Sequence, residues 1–149
     1  MGNCVSDYYL NKQDNNTELF TIVGKYRCKV VNIYDGDTCK VVMLYNGKYK
    51  RFNVRMNGYD SPEMKPSKSK ENRDKEIADA KLSKEYLRSL VCKDENQLVY
   101  IDCNGLDKYG RLLGELYIRR NDKKSVNTIM VEKGYGYKYD GGTKKNNYI

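Results

Sequence analysis

Residues 54–64, VRMNGYDSPEM, carry an arginine followed by two carboxylates that flank a Ser-Pro pair. One carboxylate could ligate a cation while the other stays free to activate water, because the proline makes the spacing between them rigid. The same residues are typical of a polar turn, since Asp before Ser-Pro is a common turn initiator. The segment alone therefore leaves both interpretations open.

Two other segments have the same ambiguity. DGDT, at residues 35–38, is an ordinary turn sequence, yet Asp37 begins a strand and would need a partner such as a hard cation at a barrel rim. DKYGR, at residues 107–111, is typical of a surface hairpin turn. It could equally present the guanidinium of Arg111, whose planar fork suits phosphate.

Composition limits the chemistry that is available. The chain of 149 residues has no histidine, which excludes a Ser-His-Asp arrangement and any zinc site built from histidine. Catalysis would have to use carboxylates, Arg, Lys, Tyr or a metal on oxygen ligands. The net charge of +8 and the pI near 9.1 favour a polyanionic partner, either nucleic acid or an anionic membrane.

The cysteines indicate a reduced, intracellular protein. Their number is odd and no CxxC occurs, which argues against a disulfide framework and a thiolate zinc site. Cys28, Cys39 and Cys103 lie in strand-like apolar segments and are predicted to be small core residues. We find no apolar run of membrane-spanning length and no signal peptide, and we expect a monomer.

The hydrophobic pattern predicts an α+β fold that is mainly β. Three strands come first, and Asn46-Gly47 between the second and third predicts a type I′ hairpin. A helix over residues 73–92 follows, with Ile77, Ala80, Lys84 and Leu87 on one stripe and Leu82 beside it. Two further strands and a short helix complete the order. This order is that of a five-stranded OB-fold Greek-key barrel with one long helix between strands three and four.

Taken together, the motifs resemble one known family. The order DGDT, Arg, DSPE, DKYGR, VN, Gly is similar to that of the staphylococcal nuclease (thermonuclease) family, from about Lys25 to Gly142. The resemblance implies the OB-fold. It also implies a Ca²⁺-dependent endonuclease that cuts DNA and RNA with little sequence specificity and leaves 3′-phosphate ends.

The resemblance also assigns a role to each matching residue. Asp37 and Asp60 match side-chain ligands of Ca²⁺, and Ser61 matches a main-chain ligand. Glu63 matches the residue that positions or deprotonates the attacking water.

The basic residues match the groups that hold the substrate. Arg55 and Arg111 match the pair that grips the scissile phosphate, and Tyr109 and Lys108 match a hydroxyl donor and a basic neighbour. The hairpin at Asn46-Gly47 is longer than in the best-known member, the third helix of the family is not expected, and the tail after Gly134 is predicted to be irregular. An alternative is an OB module of the same family that binds nucleic acid but cuts it weakly.

The amino end suggests a further function. MGNCVS fits the N-myristoylation pattern at Gly2, and Cys4 is placed for palmitoylation, provided that the source is a eukaryote or a eukaryotic virus. A basic membrane-bound interaction protein would explain this end and the charge, but not the motifs. We therefore predict a flexible arm at residues 1–17, a nuclease domain at 18–142 and a basic tail at 143–149.

Overall fold

Strands predominate in the computed structural model, which describes residues 4–139 and, of Cys4, the backbone alone. Two of the strands, β4 and β7, are only two residues long. The helices are α1 (Cys4–Leu10), α2 (Arg73–Val91) and α3 (Val126–Glu132), and the strands are β1 (Val23–Ile33), β2 (Thr38–Tyr45), β3 (Lys48–Met56), β4 (Tyr59–Asp60), β5 (Val99–Leu106), β6 (Leu112–Tyr117) and β7 (Tyr137–Lys138).

Five strands close into a barrel in the order β1-β2-β3-β6-β5. All neighbours are antiparallel except β3 and β6, which run parallel and pair Val54 with Leu112. The long helix α2 lies in the chain between the third and fourth barrel strands. The predicted five-stranded barrel of the OB-fold type is therefore confirmed.

The hairpin between β2 and β3 forms as its sequence predicts. Asn46 and Gly47 have φ values of 48° and 75°, the left-handed conformations that a type I′ turn requires, and Tyr45 pairs with Lys48 across it. This turn sets the register of the two strands, so that Thr38 faces Arg55 at the far end of the ladder.

Side chains that alternate along the barrel strands fill its interior. Cys28, Cys39 and Cys103 are buried among them as free thiols, as the sequence predicted. Burial raises the pKa of the Cys28 and Cys103 thiols to about 12, with a smaller contribution in each case from a neighbouring thiol or carboxylate. These thiols therefore act as small core residues.

Helix α2 buries part of the predicted stripe, together with polar residues that the pattern did not indicate. Its buried residues include the polar Glu76 and Ser83, whereas the side chain of Leu82 is 59% exposed. Of the predicted stripe, Ala80 and Leu87 are buried, whereas Ile77 and Lys84 are only half-buried. Both polar side chains have backbone partners, since Glu76 accepts the N–H of Glu63 and Ser83 donates to the carbonyl of Tyr135.

Two further differences lie at the ends of the described segment. The sequence pattern did not indicate helix α1 within the predicted arm. In the tail predicted to be irregular, Tyr137 and Lys138 pair with Asp60 and Tyr59 of β4. Among the described residues, none of the helices combines the length and apolar character that crossing a membrane requires.

Candidate functional site

The β1–β2 turn places Asp37 at the rim of the barrel. The backbone N–H of Asp37 donates to Asp35 Oδ1 at 3.1 Å, and the N–H of Tyr34 donates to the carbonyl of Thr38 at 2.9 Å, which closes the turn. Gly36 between the two aspartates lies against α2, where an added Cβ would clash with the side chain of Ser83. A larger residue at this position would displace the turn or the helix, because the helix packs directly on the turn.

Arg55 connects this turn to the second motif. It is the outward-facing residue of β3 that pairs with Thr38, which brings its guanidinium beside both aspartates. Arg55 Nη1 lies 3.4 Å from Asp37 Oδ2, and Nη2 is in close contact with Asp60 Oδ1. Nη1 also donates to the carbonyls of Met56 and Tyr59, each at 2.9 Å. The three ionised side chains are largely buried, so their charges interact through a low dielectric.

Hydrogen bonds join the DGDT and YDSPE motifs independently of Arg55. The backbone N–H of Ser61 donates to Asp37 Oδ2 at 2.7 Å, and the hydroxyl of Tyr59 donates to the carbonyl of Gly36 at 2.6 Å. Asp60 and Ser61 are 2% and 4% exposed. The structure therefore brings together Asp37, Asp60 and Ser61, the three predicted metal-ligating residues.

Burial and nearby charge perturb two titratable groups at this rim. Burial raises the pKa of Asp35 to about 7, and the negative charge of Asp37 adds to that effect. Burial likewise raises the pKa of Tyr59 well above 10, again with a contribution from Asp37. Burial and the neighbouring negative charge thus both favour the protonated forms of Asp35 and Tyr59.

The donors at this rim fit a hard cation. Asp37 and Asp60 offer carboxylate oxygens and Ser61 a backbone carbonyl, the ligand type that Ca²⁺ and Mg²⁺ prefer. Within residues 4–139, however, no group of three or more His, Cys, Asp or Glu is arranged to hold a metal ion. Two carboxylates would leave most coordination positions of a cation to water or phosphate oxygens. Arg55 would compete with that cation for both carboxylates.

Glu63 begins the loop after β4, and a buried carboxylate holds its backbone. The N–H of Glu63 donates to Glu76 Oε1 at 3.2 Å, while Glu76 Oε2 pairs with Lys70 Nζ at 2.7 Å. Glu76 lies on α2 and is only 1% exposed, whereas the side chain of Glu63 is exposed. Glu76 therefore ties both ends of the loop to the helix and positions Glu63.

The third motif is a turn organised by Asp107. Its Oδ1 accepts the backbone N–H groups of Tyr109 and Arg111 at 2.9 and 2.8 Å, and its Oδ2 accepts Arg111 Nε at 2.7 Å. Burial opposes ionisation, but these hydrogen bonds and the charge of Arg111 outweigh it and hold the pKa of Asp107 below its usual value. The carboxylate thus fixes the direction of the guanidinium.

The turn also groups the other predicted substrate-binding residues. The ring of Tyr109 is 72% exposed, with Arg111 Cζ 5.4 Å and Lys108 Nζ 5.1 Å from its centroid. Arg111 directly precedes Leu112, which pairs with Val54 beside Arg55. Register thus places Arg111 directly before β6, the strand next to β3, and by alternation with the buried Leu112 on the outer side of the barrel, as Arg55 is.

Comparison with known proteins identifies a family to which the chain is similar. A family model described as "Staphylococcal nuclease homologue" matches residues 53–148. The chain belongs to this family.

Two curated relatives show how the family domain recurs in longer proteins. The chain is 33% identical over 90 residues to Staphylococcal-like nuclease CAN1 of Arabidopsis thaliana, covering 60% of the chain and 23% of that protein. It is 26% identical over 116 residues to Endonuclease YhcR of Bacillus subtilis (strain 168), covering 78% of the chain and 9% of that protein. The chain thus spans less than a quarter of either relative. Membership in the staphylococcal nuclease family supports a nuclease function.

Within the family domain, Asn127 is a positioning residue. The sequence indicated this asparagine only as the second residue of the VN motif and assigned it no role. Its Oδ1 accepts the N–H of Leu116 at 3.0 Å, and its Nδ2 donates to the carbonyls of Asn57 and Gly114 at 2.8 and 3.0 Å. Asn127 is 5% exposed, so α3 ties the turn after Arg55 to β6. An asparagine at the start of a helix, next to the capping Ser125, was the available signal.

The predicted lipidation sites cannot be related to this geometry. Gly2 lies outside the described residues, and Cys4 is described as the first residue of α1 by its backbone alone. Acylation of Gly2 and Cys4, and with it membrane tethering, stays a prediction, which labelling with a myristate analogue in eukaryotic cells would check.

Proposed function

We propose that the chain is a Ca²⁺-dependent endonuclease that hydrolyses phosphodiester bonds of DNA and RNA. One observation carries this proposal: Arg55, Asp37 and Asp60 meet at a buried rim, with a second fixed arginine, Arg111, directly before the neighbouring strand β6. Positive groups fixed next to oxygen ligands are what a phosphate ester needs, because charge accumulates on its oxygens during attack.

The predicted cation would be held by Asp37, Asp60 and the carbonyl of Ser61. When bound there, a hard cation would neutralise phosphate charge and lower the pKa of bound water. Arg55 lies against the two aspartates, so it also balances their charge.

In the proposed reaction, the oxygen of a water molecule attacks phosphorus and the bond from phosphorus to the 5′ oxygen breaks. The exposed Glu63 accepts the proton of that water, and the 5′ oxygen takes a proton from solvent, which leaves a 3′-phosphate and a 5′-hydroxyl. Arg111, with its Nε held by Asp107, can direct its Nη groups at the phosphate oxygens. Tyr109 and Lys108 would contact a neighbouring phosphate.

Low sequence specificity follows from the same residues. The groups named are cations, carboxylates and one exposed tyrosine, which contact phosphate and sugar and do not read base edges. The names of the two relatives describe a nuclease and an endonuclease, which supports hydrolysis within a strand.

The test is digestion of circular plasmid and of single-stranded RNA with Ca²⁺, with Mg²⁺ and with EGTA. We expect Ca²⁺-dependent cutting of both substrates. Glu63→Gln keeps the size of the side chain but cannot accept the proton, and Arg111→Ala removes one phosphate contact. Each should slow cutting by about 10²-fold or more.

Arg88→Ala is the matched control, because Arg88 lies on the exposed side of α2 and pairs only with Glu85 in the described segment. It should cut at the rate of the wild type. Absence of cutting by the wild type, with salt-sensitive DNA binding retained, would contradict the proposal and favour the nucleic-acid-binding module.

A further inference from the structure

Three barrel strands carry a one-sided charge that the proposed cleavage chemistry does not use. Strands β1, β2 and β3 contain eight lysines and arginines and no Asp or Glu. The opposite strands β5 and β6 carry Asp102 and Glu115 and no basic residue. The positive charge of the barrel therefore lies on one wall, the wall that ends at Arg55.

Register arranges the outward-facing residues of this wall in rows. The row nearest the site pairs Thr38 with Arg55, and the next places Lys40 beside Asn53. The third row runs across three strands, because Lys29 pairs with Val42 and Val42 with Arg51. Rows lie ~7 Å apart, so the third is ~13 Å from Arg55.

These cations are available to a partner. Arg27, Lys29, Lys40 and Arg51 are exposed, and none takes part in an ion pair within the part of the chain that the structure describes. We call these four residues the basic wall.

An aromatic side chain stands at the far end of the wall. Tyr49 is 81% exposed and pairs with Leu44, which is 52% exposed, in the row beyond Arg51. Exposed rings next to rows of cations are typical of single-strand binding, since bases stack on the ring while the cations follow the phosphates.

From this arrangement we propose that the basic wall and Tyr49 form a track for single-stranded nucleic acid, holding the part of the substrate that flanks the cleaved bond. The inference rests on the proposed nuclease function. Charge complementarity and continuity with Arg55 favour nucleic acid over an anionic membrane, because a membrane would not need the rows to lead to the site.

The test compares a long with a minimal substrate. In Lys40→Gln/Arg51→Gln two predicted phosphate contacts are lost. For single strands, the logarithm of the binding constant falls with the logarithm of the salt concentration by about 0.7 for each phosphate contact. One contact therefore contributes about fivefold in affinity when salt is lowered from 1 M to 0.1 M. At 0.1 M salt, the KM for a single-stranded oligonucleotide of about twelve nucleotides should rise about 25-fold with kcat unchanged. A dinucleotide substrate, which does not reach the track, should be cut as by the wild type.

Two more variants sharpen the result. Lys81→Gln/Lys123→Gln removes the same charge from exposed lysines of α2 and the loop before α3, and should leave the KM unchanged. Tyr49→Ala should weaken binding of the single strand about tenfold and of a duplex much less, because only unpaired bases can stack. Circular dichroism would confirm that every variant is folded.

The outcomes separate the two proposals. We call Lys40→Gln/Arg51→Gln the wall variant and Lys81→Gln/Lys123→Gln its control. If the wild type cuts the oligonucleotide and these two variants have equal KM values for it, the track is overturned and the nuclease function is left intact. Salt-dependent oligonucleotide binding that the wall variant loses, without cutting by the wild type, would support the track and contradict the nuclease. If Lys40→Gln/Arg51→Gln lost the wild-type binding to phosphatidylserine vesicles but bound the oligonucleotide as the wild type does, the basic wall would be a membrane-binding surface and the track would be overturned.

Discussion

Replacing the buried Glu76 by alanine should slow cleavage although Glu76 contacts neither the phosphate nor a metal ligand. Its two oxygens hold the backbone of Glu63 and the ammonium of Lys70, so it fixes the loop that presents the proposed general base. Without the carboxylate, this loop loses both of its attachments through Glu76 to α2. We therefore expect an effect on kcat that exceeds the effect on KM.

The expected loss of stability follows from burial. The Glu76 side chain is 2% exposed and that of Lys70 is 24% exposed. Breaking a fully buried ion pair costs about 3–5 kcal/mol, but Lys70 can turn towards water, which lowers the cost to about 2–3 kcal/mol. A loop displaced by about 1 Å can lower kcat by about 10²-fold, because the general base then misses its water.

The assay measures kcat and KM on a defined oligonucleotide, well below the melting temperature of every variant. Glu76→Gln keeps an oxygen for the Glu63 N–H but loses the charge facing Lys70, so its kcat should lie between those of the wild type and Glu76→Ala. Glu85→Ala on the exposed side of α2 is the control, since its ion pair with Arg88 is at the surface.

A double-mutant cycle separates positioning from general destabilisation. If Glu76 acts through Glu63, adding Glu76→Ala to Glu63→Gln should change kcat little, and hydrogen exchange at the Glu63 amide should quicken in Glu76→Ala. A folded Glu76→Ala variant with kcat within about twofold of the wild type would refute the positioning role.

Three further perturbations test the site. Arg55→Gln should destabilise the metal-free protein by about 3 kcal/mol, since it leaves two buried aspartates uncompensated. The same variant should bind Ca²⁺ more tightly than the wild type by calorimetry. Equal or weaker binding would contradict the competition between Arg55 and the cation for the two aspartates. Gly36→Ala should cost about 1–3 kcal/mol in urea unfolding and less in a Ser83→Ala background, because Ser83 Oγ is the closest clash; equal costs would contradict this packing. The Asp107 pKa is lowered in the folded state, so its stabilising effect is present above about pH 4 and is lost as pH falls through the folded pKa. The stability difference between wild type and Asp107→Asn should therefore shrink on acidification, and a constant difference would show that the bonds to Arg111 do not depend on charge.

Local patterns predicted the barrel because its strands obey local rules. Alternating apolar residues, the Asn46-Gly47 turn and the length of α2 each depend on neighbours in the chain, and all three appear in the structure. The short β4–β7 ladder escaped prediction because Tyr59 and Lys138 are far apart in sequence and two residues carry no periodicity.

The motifs predicted which residues gather at the rim, but not how they are held there. Ser61 donates to Asp37, and Arg55 contacts both Asp37 and Asp60, whereas the role of these residues as metal ligands stays a prediction. That Arg55 binds both aspartates depends on its pairing with Thr38, which the predicted turn fixes, and on the position of Asp60 in the short β4–β7 ladder, which no local pattern reveals.

The residues missed by sequence reasoning share one physical property. Glu76, Ser83 and Asn127 are polar, yet each is at most 5% exposed. A polar residue on a helix is normally assigned to the solvent side, because burying it without partners is costly. Here each has backbone partners in the site's supporting segments, the loop at Glu63, the carbonyl of Tyr135 and the turn at Asn57. In this fold a buried polar helix residue therefore marks the place where a helix supports the site, and substitutions there should change activity as well as stability.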